Sequence, residues 1–260
     1  MSSFPHKPDM ESMRATAKLV EAYLVSDDSD PDELGVRCRR AGQLVLRACL
    51  DHCEAAAATQ VAASLGKALT EYARAAEMGW RMGPWHMWNI TCTALAVRNF
   101  SMAHFLAAAP EIQWREDWRT VLHSLGMAIL ALHAILRSDR AEAERWIAAL
   151  RVLAFEDPPT DGMKLNLDEI RNFHQLLEAL HKKDPLAFNA ALQIRTEVHA
   201  ASFARNGRNS PLGFLDLHGL GLCALARDFG MTITVRHAYL PLELLDAAAE
   251  LPRNEPPERK

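Results

Sequence analysis

Three short polar turns, each between two apolar helical stretches, constrain the fold of this chain more than any other feature. They fall at Asn99 in AVRNFSMA, at Asp139 in ILRSDRAEAE and at Asp184 in LHKKDPLAF, spaced by 40 and then 45 residues. Successive antiparallel helix pairs joined by short turns produce such a spacing. The turns therefore predict an all-α fold of stacked antiparallel helical hairpins in a solenoid-like arrangement.

The remaining sequence favours the same fold class. Ala, Leu, Glu and Arg, which are good helix formers, are abundant, and apolar residues recur with the helical period. At most one short β-like segment is expected, at MTITV near 231–235. We expect a single domain over 1–260 with short disordered tails at about 1–8 and 252–260. The predicted helices span residues 9–25, 32–58, 60–79, 84–97, 100–108, 115–136, 140–154, 166–182, 185–205, 211–229 and 241–250.

The charge, the apolar stretches and the cysteines of the chain indicate which partners and which cellular compartment to expect. The 260 residues have a formal charge of -4, which gives no reason to expect nucleic-acid binding. The start of the chain does not resemble a signal peptide, and the longest apolar stretch, 121–136, is shorter than a bilayer span of about 20 residues. Five cysteines without a C-x-x-C pair indicate reduced thiols. We expect a cytoplasmic protein without a membrane partner.

A glycine pattern near the C-terminus could indicate a different class of protein. Gly219, Gly221 and Ala224 form G-x-G-x-x-A after the apolar run GFLDL, as in a dinucleotide-binding turn. Such a turn lies between a strand and a helix of a βαβ unit, and no βαβ alternation is present in the sequence. We therefore predict a helix whose glycines let another helix approach closely, and in which Gly230 forms the left-handed C-terminal residue.

The same region resembles a known family. An F-N-x-A-L helix, a G-L-x-x-L-A helix, an Asp-Phe-Gly stop, an ITV stretch and a Tyr-Leu-Pro triplet follow one another in order. They lie at Phe188–Leu192, Gly221–Ala226, Asp228–Gly230, 233–235 and Tyr239–Pro241. This order resembles the C-terminal half of the immunity protein 49 family, and residues 88–110 are similar to its central helical pair. The resemblance covers about two thirds of the chain, and residues 1–60 match no family that we can name.

The resemblance implies a mostly α-helical protein that protects bacteria against polymorphic toxins. Such a protein would bind one cognate toxin, encoded by an adjacent gene, and would block it by direct contact. It would need no catalytic residue and no cofactor. Two other functions stay open, namely a helical-repeat adaptor that holds proteins in a concave groove and an enzyme with an active-site cavity between helices.

Catalytic and metal-binding patterns are sparse. The sequence contains no H-E-x-x-H, no phosphate-binding G-x-x-x-x-G-K-[ST] and no G-x-S-x-G. His174 and Glu178 share a helix face, with His181 one heptad beyond His174, but a metal would need further ligands there. We interpret this face as a surface or capping feature, and His52 near Cys49 as part of a helix core with small residues. We therefore assign no catalytic, cofactor-binding or metal-binding residue.

Two stretches are the candidates for contact with a protein partner. The acidic run SDDSDPDE could meet a basic toxin surface, since charge complementarity speeds association and selects partners. The charged stretch PEIQWREDWR contains two tryptophans that are candidates for exposure, and Trp is common among interface hot spots. The tryptophans at 80, 85 and 88 are expected to pack in the core. The predicted partner-binding residues are Asp27, Asp28, Asp30, Asp32, Glu33, Trp114 and Trp118.

Overall fold

Ten α-helices are present in the described part of the chain, which confirms the all-α prediction. The structure, a computed structural model, describes residues 34–78, 83–108, 124–156, 167–206 and 211–251, together with positions 11, 14, 15 and 18. The helices are α1 (Leu34–Cys53), α2 (Ala58–Glu77), α3 (Pro84–Ala96), α4 (Phe100–Ala108), α5 (Ser124–Leu136), α6 (Arg140–Arg151), α7 (Leu167–Lys182), α8 (Pro185–Asn206), α9 (Leu217–Asp228) and α10 (Glu243–Ala249). A π-helical segment, Val152–Glu156, extends α6, and a 3-10 helix, Pro211–Phe214, precedes α9. The predicted tails at 1–8 and 252–260 lie outside the described residues.

The three polar turns have one common construction. At the turn between α5 and α6, the amide of Ser138 donates to the carbonyl of Ile135 and the amide of Asp139 donates to that of Ala134, which closes α5 in a Schellman motif. The Asp139 carboxylate then accepts the amide of Glu142 and caps α6. Ser138 has a positive φ of 58°. The same pattern recurs at Arg98-Asn99 and at Lys183-Asp184, with φ values of 55° and 52°.

Helices adjacent in sequence pack as hairpins, but the two C-terminal helices return to earlier ones. The pairs α1–α2, α3–α4, α5–α6 and α7–α8 are in contact, and α6 also packs on α7. Helix α9 then packs against α3, and α10 packs against α2. Because these last contacts join the end of the chain to its first two hairpins, the described helices close on themselves and do not form an open superhelix.

The glycine segment is helical, as predicted, although its helix begins later than expected. The predicted helix 211–229 is interrupted after the 3-10 helix Pro211–Phe214, because Asp216 caps α9 by accepting the amide of Gly219. A Cβ atom on Gly221 would lie 2.6 Å from the carbonyl oxygen of Cys92 in α3, which shows how closely the two helices approach. Gly230 has a φ of 79° and ends α9 in the predicted left-handed conformation.

Other boundaries differ for local reasons. Helix α1 ends at Cys53, before the predicted residue 58, because Ala55 adopts a positive φ of 55° and turns the chain. Residues 231–235 form no strand with any described residue, and the structure records one isolated bridge nearby, between His237 and Leu240. Trp88 is fully buried, as expected, with its ring centroid 4.9 Å from that of Phe173.

Candidate functional site

All seven predicted partner-binding residues lie outside the described part of the chain. The structure therefore tests neither the acidic run nor the tryptophan pair. Trp80 also lies outside it, whereas Trp85 is half exposed and not part of the core. Two other arrangements of polar side chains are described, namely a surface groove beside α6 and α7 and a buried network that joins α3, α7, α8 and the start of α9.

The groove lies between α6 and α7 and has a cavity volume of about 720 Å³. The turn between α5 and α6 lines one part of it, and Phe229 at the end of α9 lines another. Ile135, Ile147 and Leu180 are the large aliphatic residues of its apolar surface. Volumes of this size are typical of sites that accept a small molecule or a few side chains of a partner.

Helix α7 contributes His174, Glu178 and His181 to this groove, the residues that the sequence pattern placed on one helix face. His174 is only 5% exposed, and both of its ring nitrogens lack a hydrogen-bond partner in the structure. Its Nε2 lies 3.9 Å from Glu178 Oε2, which is too long for a hydrogen bond. Burial lowers the pKa of His174 below its ordinary value, although the nearby Glu178 acts in the opposite direction.

The acidic groups of the groove are already engaged. The Glu144 carboxylate lies 2.9 Å from Arg140 Nε and 3.4 Å from His181 Nε2. Lys182 donates to Glu178 over 2.6 Å, which lowers the pKa of that carboxyl group. Asp139 accepts the amide that caps α6, as described above. The acceptors of the groove are therefore largely occupied within the protein.

Two of the cationic groups in the groove are less well satisfied. Arg151 Nε lies 3.7 Å from Glu156 Oε1, beyond hydrogen-bond distance, and both side chains are exposed. The Lys183 ammonium lies 5.0 Å from the ring centroid of Phe229 and forms no ion pair with a carboxylate of the described residues. The groove thus has more available donors than available acceptors.

A second arrangement, the buried network, is built around Arg195 of α8. Its Nε and Nη2 each donate to one oxygen of Asp216 over 3.0 Å, and its Nη1 donates to Glu169 over 3.1 Å. The Nε2–H of His218 donates to the side-chain oxygen of Asn89 over 2.6 Å, which leaves Nδ1 as an acceptor 3.4 Å from Arg195 Nη2. Every charged group of the network therefore has a partner from another element.

The pKa shifts follow from this arrangement. Burial alone would raise the pKa of Asp216, but the Arg195 guanidinium holds it well below its ordinary value. Burial alone would lower the pKa of Arg195, and the two carboxylates hold it above its ordinary value. Burial and the neighbouring Arg195 lower the pKa of His218 to about 3, so this imidazole is neutral at pH 7. We interpret the network as a structural ion pair in the protein interior.

The structure provides no arrangement for a metal at the positions considered from sequence. Among the described residues, no group of three or more His, Cys, Asp or Glu side chains could hold a metal ion. His52 Nε2 lies 2.9 Å from the carbonyl oxygen of Ala238, and Cys49 is buried. All five cysteines are free thiols, and burial raises the pKa of Cys49, Cys92 and Cys223.

In the described ranges, none of the helices combines the length and the apolar character that a membrane crossing requires.

Fold and sites together define an all-α protein of antiparallel hairpins with a surface groove that is lined by apolar and charged side chains. The family model described as immunity protein 49 matches residues 30–244, and the chain belongs to this family. Immunity proteins are not typically enzymes. The match begins at residue 30 and so includes α1, although the sequence pattern of residues 1–60 indicated no known family. No curated protein and no solved structure matches the chain.

Sequence reasoning missed the buried network and most of the groove. Asp216 could have been found, since an Asp directly before the first apolar residue of a helical stretch is an N-cap signal. Asn89 and His218 are 129 residues apart, and no local pattern connects them. The cations Arg151 and Lys183 resemble ordinary surface residues in the sequence, because only the packing of α6 on α7 places them around one groove.

Proposed function

We propose that this chain is an immunity protein that binds one cognate bacterial toxin and neutralises it by direct contact, without turnover of a substrate. The observation that supports the proposal is the family match over residues 30–244. A rigid helical scaffold with a complementary surface is sufficient for this task. The free thiols fit a reducing compartment, so the site of action that we propose is the bacterial cytoplasm.

The contact residues that we propose are the acidic run and the tryptophan pair. The carboxylates Asp27, Asp28, Asp30, Asp32 and Glu33 would steer a basic toxin surface towards the protein, and Trp114 and Trp118 would provide apolar anchors. The toxin would be the product of an adjacent gene. We further propose that the whole chain acts as one helical domain.

Co-expression with the toxin domain encoded beside this gene tests the function. We expect growth to be restored, and the two proteins to co-purify as a stable complex. Toxicity that persists at full expression of this chain, together with no co-purification, would contradict the proposal. Capture of several unrelated proteins at modest affinity would instead favour a helical-repeat adaptor.

The proposed contacts can be tested separately. Trp114→Ala and Trp118→Ala should each weaken toxin binding by tenfold or more, about 1.4 kcal/mol, as expected for interface anchors. Trp85→Ala is the matched control, because Trp85 is half exposed but is not a proposed contact. Equal and small effects of all three substitutions would remove the tryptophan pair from the interface.

A further inference from the structure

We infer that the groove between α6 and α7 is a second contact surface for the toxin, and that it accepts an acidic side chain of the toxin at His174, Arg151 and Lys183. This inference depends on the proposed function, because it names a surface and a partner chemistry for the same binding event. It concerns a different part of the chain from the acidic run and the tryptophan pair.

His174 provides the first argument. A buried polar side chain normally has a hydrogen-bond partner, because a buried donor or acceptor that is left unpaired has lost its hydration without compensation. His174 lines the groove with both ring nitrogens unpaired and only 5% of the residue exposed. The carboxylate of Glu178, one helical turn further along α7, is 3.9 Å away and accepts a hydrogen bond from Lys182. A bound acceptor would give the imidazole N–H the partner that it lacks.

The balance of charges provides the second argument. Four Lys and Arg side chains and three carboxylates line the groove: Arg140, Arg151, Lys182, Lys183, Asp139, Glu144 and Glu178. The carboxylates are engaged by capping or by ion pairs. Arg151 has only the long, exposed ion pair with Glu156 at 3.7 Å, and Lys183 has no ion pair with a carboxylate of the described residues. The whole chain has a formal charge of -4, whereas the cationic side chains that line the groove outnumber its carboxylates.

The cationic hydrogen-bond donors of the groove indicate which chemical group of the toxin would bind there. An Arg guanidinium binds a carboxylate through two parallel hydrogen bonds, and a Lys ammonium adds a mobile positive charge. The apolar wall formed by Ile135, Ile147 and Leu180 would contact the aliphatic part of the same toxin segment. A toxin loop with Asp or Glu at its tip satisfies both features, and the groove volume of about 720 Å³ has room for a few side chains.

The first experiment compares two charge reversals in the complex with the toxin domain encoded beside this gene. The double variant Arg151→Glu with Lys183→Glu alters the groove. Lys67→Glu is the control, since Lys67 is an exposed residue of α2 that does not line the groove. Circular dichroism melting should show that both proteins are folded, because all three side chains are on the surface. The double variant Arg151→Gln with Lys183→Gln provides a milder change if the melting temperature falls.

The association rate constant is the measurement that distinguishes the outcomes. We expect the groove variant to associate about tenfold more slowly, with a weaker dependence on salt, and the control to change less than about twofold. If the wild-type chain binds but the groove variants associate at the wild-type rate, the groove inference is wrong and the proposed function stands. If the wild-type chain does not bind the toxin, both are wrong.

Charge exchange and the state of His174 give two independent checks. A toxin variant in which one Asp or Glu is replaced by Arg should restore binding to the groove variant, which identifies the carboxylate involved. In nitrogen NMR spectra of the wild-type chain, the His174 ring signals should shift on complex formation, with an N–H protected from exchange. Unchanged His174 signals in a saturated complex would overturn the inference.

Discussion

At the scale of single residues, the guanidinium of Arg195 lies between two carboxylates in the interior, with 4% of its side chain exposed. Its pairing with Asp216 is bidentate, and Asp216 also caps α9. Removing one partner of a buried ion pair leaves the other charged and without compensation, which is much more damaging than the loss of a surface pair. The ion pairs of Arg195 therefore stabilise the packing of α7, α8 and α9 against one another.

Arg195→Met should lower the free energy of unfolding by about 3–5 kcal/mol, because Asp216 and Glu169 would lose their buried cation. Arg145→Met, which removes an exposed pair with Glu142, should lower it by less than about 1 kcal/mol. Urea unfolding of the two variants and the wild type provides the comparison. Equal losses would show that the buried pair has no special role in stability.

Two glycines within helices should respond to the same substitution with opposite signs. A Cβ atom at Gly221 would lie 2.6 Å from the backbone of Cys92, whereas one at Gly66 would have no neighbour within 4 Å. Gly221→Ala should therefore destabilise the protein by about 1–3 kcal/mol through overpacking. Gly66→Ala should stabilise it by about 0.5–1 kcal/mol, because alanine is the better helix former. Thermal melting of both variants checks the signs, and a stabilising Gly221→Ala would mean that α9 and α3 are less closely packed.

At the scale of the elements, the hairpin turns combine a helix stop and a helix start in two residues. Arg98, Ser138 and Lys183 occupy left-handed conformations that favour glycine, and each is followed by the Asn or Asp that caps the next helix. Because each turn is so short, the two antiparallel helices that it joins lie side by side. Each turn also places a residue other than glycine in the left-handed conformation, which costs about 1–2 kcal/mol relative to the right-handed one.

Ser138→Gly should raise the free energy of unfolding by about 0.5–1 kcal/mol. Relief of the left-handed backbone conformation favours the folded state, and the greater freedom of glycine in the unfolded chain offsets part of the gain. Ala148→Gly, at an exposed position within α6, is the control and should lower stability by about 0.5–1 kcal/mol. Denaturant midpoints measure both changes, and a loss in Ser138→Gly similar to the control would contradict the role of the turn.

At the scale of the whole molecule, the contacts of α9 with α3 and of α10 with α2 join the two ends of the described chain. The core is correspondingly continuous, since one cluster of buried apolar residues extends from α1 to α10. Two neutral histidines, His133 in α5 and His218 in α9, are buried in this closed arrangement. Burial lowers the pKa of each to about 3.

These histidines should make the stability of the whole fold sensitive to acid. In the unfolded chain they bind protons near pH 6.5, whereas in the folded chain they bind them only near pH 3. The unfolded state therefore binds more protons between these values, so stability is present above pH 6.5 and is lost as the pH falls. Each histidine should remove about 1.4 kcal/mol per pH unit in this window.

Urea unfolding at intervals between about pH 7.5 and 4.5 measures this dependence. The variant His133→Gln, which cannot ionise at this position, should show a slope smaller by about 1.4 kcal/mol per pH unit than the wild type. A free energy of unfolding that stays constant over this range in the wild type would contradict the burial of neutral histidines.

The sequence by itself determined the helical class, the positions of the hairpin turns and the left-handed end of α9 at Gly230. These features depend on residues within about one helical turn of each other, so local patterns of apolar, capping and glycine residues are sufficient to predict them. The face shared by His174, Glu178 and His181 was also visible, because residues three and four apart lie on one side of a helix.

Only the tertiary structure decided how the hairpins close and which polar groups meet. The network around Arg195 and the groove cations Arg151 and Lys183 depend on contacts between helices that are distant in sequence. The approach of α9 to α3 likewise depends on Gly221 facing the backbone of Cys92. Local periodicity predicts which face of a helix is apolar but contains no information about which other helix covers it, so these features follow from packing alone.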